Sequence, residues 1–305
     1  MATPPDQQIS PTKEQWDQLC QDVKKNLTEE MGSETWYLII ATALTVSPRP
    51  HLLADFWTHI TTHDPSFGTA DSRSRLSTRL GDTLIKQLTL SGAPQVLSAL
   101  IPLAKAQTQT PSSSSSDGQR PTEEGELDIE AWSSLSLPDL HARGIETITS
   151  IYGTLWRRIF ATFGPYRKDM GLHELGVVYG LYLSDFTHLS PLETETVAYT
   201  NITCQGLAGP SLWHVRGMGR VLGARGTDEA DARVARAKDV IRGVKVAVAT
   251  AVEFVGDDFV RRSRLDGGAD GTQGWPNVGD VSRDLGGWGE DDDISKTTNA
   301  EERTT

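Results

Sequence analysis

Between Leu189 and Ala224 the chain carries a carboxylate, Glu195, on one helical run and a histidine, His214, on the next, separated by the break Gly206-Leu207-Ala208-Gly209. A histidine titrates near neutral pH. With a carboxylate to orient or charge it, it can pass a proton; the alternative is a histidine hydrogen-bonded within a helix packing surface beside Trp213. Tyr199 follows Glu195 by one helical turn, so it shares that face and reads as a core residue, with a place in the same cavity as the alternative. Cys204 lies nine residues after Glu195, which at about 100° per residue turns it to the opposite face. It reads as a small buried hydrophobe, with a lone reactive cysteine as the alternative. Arg216 sits about 200° round the helix from His214 and is expected at a surface or subunit contact.

Other chemistry is weakly signalled. His173 and Glu174 are adjacent and so point apart, and no HxxxH or HxxE pairing accompanies them, so no metal and no cofactor is expected. No GxGxxG, Walker loop or GxSxG is present, which leaves nucleotide binding and hydrolase chemistry without support. Gly217, Gly219 and Gly223 fit close helix packing.

The elements that must position these residues are helical throughout. Trp16, Leu19, Val23 and Leu27 recur at three- and four-residue spacing, which predicts a helix over 12–30. Residues 34–46 are almost wholly apolar and predict a helix buried on most sides. Further helices are expected over 50–62, 72–90 and 95–104, the last ended or kinked early by Pro102. Ile145, Ile148, Ile151, Leu155 and Ile159 form one stripe over 138–163, and another helix is expected over 169–186. Ser190 then caps a helix with Pro191 at its first position and Glu193 in its first turn, running to about 205. Pro210 starts the next, to about 223, and Thr227 caps the last, to about 255. No stretch alternates with a period of two, so the fold class is all-α.

The 305 residues carry a formal charge of -12. Residues 266–305 hold ten acidic and three basic side chains, about -7 of that total, so the body is only mildly acidic. No basic stripe interleaved with aromatics occurs, which excludes nucleic acid as a partner. The two cysteines, Cys20 and Cys204, lie far apart and fit a reducing compartment. No apolar run reaches the roughly 18 residues a membrane helix needs, so no membrane association is expected.

The run LSPLETETVAY, a Gly break and then PSLWHVRGMGRVLGA resembles the carboxymuconolactone decarboxylase and alkylhydroperoxidase D-like superfamily. IYGTLWRRIFATFGP and YGLYLSDF are similar to the same domain, and RLGDTLIKQLTLSGAPQVLSALIPLAKA is similar to the first half of two-repeat fungal members. The resemblance implies a tandem-duplicated, all-α alkylhydroperoxidase D-like fold. It places the motif's glutamate and histidine at Glu195 and His214 and its two cysteine positions at Leu207 and Pro210, so the peroxidase dithiol is absent and thiol peroxidase activity is disfavoured. The matching positions of the first half are Arg79 and Ser98, so that half is expected to be structural.

The implied organisation is an N-terminal polar helix and tail over 1–33, a degenerate first repeat over 34–106, a Ser-rich flexible linker over 107–137, the decarboxylase-like domain over 138–256, and a disordered acidic tail over 257–305. The resemblance also implies a homo-oligomer, a dimer or trimer of two-repeat chains, and a small-molecule ligand. Two functions follow: proton-transfer chemistry on a small organic acid or lactone, or a non-catalytic helical assembly that kept the fold. An intracellular location, cytoplasmic or peroxisomal, is expected. Ser263-Arg264-Leu265 would act as a peroxisomal address only in a form that ended there.

Overall fold

The computed structural model describes residues 10–109, 134–228, 230–256, 260 and 276–290. Five helices make the first half: α1 (Lys13–Lys25), α2 (Thr35–Val46), α3 (Leu52–His63), α4 (Ala70–Gln87) and α5 (Ala93–Gln109). The second half contributes α6 (Leu137–Tyr152), α7 (Leu155–Ala161), α8 (Arg167–His173), a π-helix (Glu174–Tyr182), α9 (Pro191–Cys204), α10 (Ala208–Val221), α11 (Ala232–Val255) and α12 (Val278–Leu285). The described residues contain no strand, and none of their helices is long and apolar enough to cross a membrane.

Two helices without a polar face stand at the centre. In α2 every residue from Thr35 to Thr45 is buried, and in α9 every residue from Thr194 to Cys204. Their threonines need no solvent because the hydroxyls donate back one turn: Thr42 to the Leu38 carbonyl, Thr45 to Ala41 and Thr200 to Thr196, each at 2.7 Å. α2 packs against α9 and α11, with α1 laid over them through Trp16, Leu19, Cys20 and Val23. The start of α9 is fixed as its sequence dictates: the Ser190 hydroxyl accepts from the Glu193 amide and the Glu193 carboxylate accepts from the Ser190 amide.

A second, smaller core is built from Ile148, Ile151, Tyr152, Trp156, Phe160, Leu175 and Tyr179 of α6, α7 and the π-helix. α6 and the π-helix cross at backbone contact. A Cβ on Gly144 would stand 1.7 Å from the Leu175 carbonyl oxygen, and one on Gly180 would stand 2.2 Å from the Leu140 carbonyl oxygen. A π-helix of nine residues is rare, and such distortions recur where a helix must re-aim a side chain. Here it carries Tyr179.

Several boundaries differ from the sequence expectation. Pro102 does not end α5, which runs through it to Gln109; only its missing amide is lost from the helix ladder. The stripe over 138–163 is two helices, because Gly153 takes φ +53° and closes α6. The 169–186 run becomes α8 and the π-helix rather than one α-helix. Asp231, not Thr227, caps α11, its carboxylate accepting from the Arg233 amide. The disordered-tail expectation does not hold for 276–290: α12 is capped by Asn277, and Trp288 is fully buried against Gly219, where a Cβ would lie 2.0 Å from the indole. The periodic signal there was one eight-residue helix among glycines and aspartates, too short to stand out. Residues 110–133 of the expected linker and the Ser263-Arg264-Leu265 tripeptide lie outside the described residues.

Candidate functional site

Glu195 and His214 converge at the seam of the two cores. Both face inward because α9 and α10 pack as a hairpin across Gly206, whose φ of +70° makes the reversal. The His214 Nδ1 lies 3.0 Å from Glu195 Oε2, with the side chains 4% and 1% exposed. The carboxylate fits because residue 217 has no side chain: a Cβ there would stand 2.5 Å from Glu195 Oε2 and 2.6 Å from Ile151. Gly217 and Gly219 therefore serve close packing as expected. Gly223 instead supplies a positive φ of +92° with nothing near it.

The opposite ring nitrogen, His214 Nε2, is 2.9 Å from the Tyr152 hydroxyl, and Tyr179 donates its hydroxyl to Tyr152 at 2.9 Å. The ring faces Tyr152 edge-on, and Tyr152 faces Tyr179 in the same way. Four residues from four helical elements thus form one line, Tyr179–Tyr152–His214–Glu195. The carboxylate can only accept, so His214 carries its proton on Nδ1. Nε2 then accepts from Tyr152, and every donor in the line points toward Glu195.

Burial sets the electrostatics. Desolvation holds the Tyr152 phenol well above its ordinary pKa, with the negative ends of Tyr179 and Glu195 adding to the effect, and desolvation does the same to Tyr179. Glu174, half-buried at the head of the π-helix, is also raised by desolvation. One polar atom at the centre is left over: Glu195 Oε1 is buried and has no hydrogen-bond partner.

The remaining sequence candidates sort clearly. Tyr199 is fully buried in the larger core, one turn from Glu195, while Tyr152 takes the histidine. Cys204 is buried in the same core and desolvation pushes its thiol up to about 12, which suits the small hydrophobe and not a reactive thiol. Leu207 precedes α10 and Pro210 lies in its first turn.

Arg216 is not a surface charge. It is 3% exposed; its Nε donates to the Gly287 carbonyl at 2.8 Å and an Nη to the Tyr152 carbonyl at 2.5 Å. With Arg220, which donates to the Trp288 carbonyl at 2.9 Å, it ties the end of α6 and the 286–290 segment to α10. His173 is exposed, and among the described residues no group of three or more His, Cys, Asp or Glu is placed to hold a metal ion.

Tyr152 and Tyr179 were not singled out by the sequence. The available signal was that Tyr152 follows the isoleucine stripe of α6 and that a buried tyrosine needs a partner for its hydroxyl. Which partner depends on chain crossings 62 and 27 residues apart. Comparison with family models, with curated proteins and with solved structures gives no match for this chain.

Proposed function

We propose that the Glu195–His214 pair is a proton-transfer site of the carboxymuconolactone decarboxylase-like kind, acting on a small organic acid or lactone, with Tyr152 and Tyr179 as its relay. The observation that carries this reading is Glu195 Oε1, a buried carboxylate oxygen without a partner beside a histidine whose two nitrogens are both engaged. Leaving such an atom unmet costs about 1–3 kcal/mol, a cost that a ligand hydroxyl placed there would offset.

In this reading the substrate C–H gives its proton to the Tyr179 oxygen as Tyr179 passes its own to Tyr152 and Tyr152 passes its own to His214 Nε2, and the electron pair of the broken C–H bond stays on the substrate as its enolate. The imidazolium that forms is held by Glu195, and the phenol is restored in the same event, so no free phenolate accumulates against its raised pKa. The Arg79 and Ser98 positions fit a doubled fold in which the first half keeps the hairpin and not the site. A non-catalytic helical assembly, built as a homo-oligomer, is the second reading. It is favoured by the low exposure of both His214 and Glu195.

The test is deuterium incorporation at carbon, followed by NMR, when the purified full chain meets a panel of small 3-oxo acids and unsaturated lactones in D2O. The proton-transfer reading expects exchange that falls at least about a hundredfold in His214→Gln and in Tyr152→Phe. An untargeted metabolite comparison of a His214→Ala strain with wild type extends the panel. Identical profiles together with no His214-dependent exchange favour the assembly reading.

A further inference from the structure

The sequence near α7 and α8 concentrates positive charge in a chain that is otherwise acidic. WRRIF and YRKDM bring Arg157, Arg158, Arg167 and Lys168 within twelve residues. Residues 157, 167 and 168 line one open cleft of about 660 Å3, with Asp169 the single carboxylate in its wall. Its apolar side presents the edges of two nearly buried rings, Trp156 and Phe160, which meet edge-on at 5.2 Å between ring centres, and Leu172 and Leu175 continue the wall. The Arg157 guanidinium lies over the Trp156 ring at 4.5 Å, which holds a cation at the edge of that wall. Leu172 is 48% exposed, a large apolar side chain left facing the opening. Gly171 keeps the far side low, since a Cβ there would already touch the Phe160 ring.

The opposite balance of charge is found elsewhere on the molecule. A second cleft of about 630 Å3, between α1 and the end of α11, sets Glu14, Asp22 and Glu253 against Arg49 alone. Clefts of this size fit small ligands, and an apolar wall with a few convergent charges is how such sites fix orientation.

We propose that the α7–α8 cleft binds a small organic acid with a flat apolar body, the body lying on Trp156, Phe160 and Leu172 and the carboxylate meeting Arg167 and Lys168. The site is separate from the Glu195–His214 line and stands whether or not that line is catalytic. Carboxylate recognition here comes from two cations on neighbouring positions, and the aromatic wall selects against compact inorganic anions.

The experiment uses the full-length protein and 2-naphthoate as the probe, with saturation-transfer NMR as the readout. Saturable binding is expected, and Arg167→Glu/Lys168→Glu should weaken it at least tenfold while leaving the neutral isostere 2-naphthylmethanol within twofold. Both substituted positions are exposed, so the fold is retained. Leu172→Glu should weaken both ligands, and inorganic phosphate at millimolar concentration should not displace the probe. His214→Gln should leave naphthoate binding unchanged, which separates this site from the proton-transfer reading. The proposal is overturned by absence of saturable naphthoate binding, by affinity unaltered in both cleft variants, or by equal displacement with inorganic phosphate.

Discussion

The helix-break-helix units 70–109 and 191–221 do opposite things with polar side chains. In the first, Arg79 donates to the Tyr37 hydroxyl at 2.6 Å and to Glu193 at 2.5 Å near the surface, while Ser98 only returns a hydrogen bond to the Pro94 carbonyl one turn back. In the second, Glu195 and His214 are almost wholly buried and joined to two tyrosines. The difference is a third layer. α6 covers α10 and the π-helix lies on α6, and their crossing at Gly144 and Gly180 brings Tyr152 to the histidine and Tyr179 to Tyr152. The hairpin alone supplies a pair; the added layer makes a directed line of proton donors.

The comparison breaks first at the buried pair. His214→Ala leaves the Glu195 carboxylate buried without its partner and should lower unfolding free energy by about 3–5 kcal/mol in urea melts. Arg79→Ala, in the first of the two units, should cost only about 2 kcal/mol. Equal losses would mean that the two hairpins carry the same structural burden. Gly144→Ala should fall between them, at about 3 kcal/mol, because the new methyl meets the Leu175 carbonyl and not a side chain that can move.

The hairpins and the central helices were legible in the sequence because their signals are local. The apolar run at Trp36, the Ser190-Pro191-Glu193 start and the break at Gly206 each fix a boundary within a few residues. Glu195 and His214 were legible for the same reason, lying on two consecutive helices. Tyr152, Tyr179 and the buried Arg216 were not, since each acquires its partner from a distant crossing. The Arg216 side chain was expected outside because nothing local reveals that 286–290 returns over it. The π-helix was hidden too, because its residues show the same apolar density as an α-helix.

Smaller effects sharpen the comparison further. Tyr152→Phe removes the hydroxyl that joins both neighbours and should cost about 1–3 kcal/mol, while Tyr179→Phe, at the end of the line, should cost about 1 kcal/mol. Ser98→Ala should leave the melting midpoint unchanged. The sign of the alkaline limb follows from the tyrosines. Their folded pKa values lie above those of the unfolded chain, so their contribution is complete below about pH 10 and is lost as pH rises beyond it. Stability should therefore fall above about pH 10 in wild type, and less steeply in Tyr152→Phe. Both cysteines, each pushed up to about 12 by burial, should resist alkylation at neutral pH until the protein is unfolded.

The direction of the proton line depends on which nitrogen of His214 holds the proton. Nitrogen-15 NMR of the imidazole rings reads this directly, with His214 assigned among the seven histidines by its loss in His214→Gln. The line from Tyr179 to Glu195 requires a proton on Nδ1 and a bare, accepting Nε2 at neutral pH, with the Nε2 resonance shifting in Tyr152→Phe. A proton on Nε2, or a resonance indifferent to Tyr152, would contradict it.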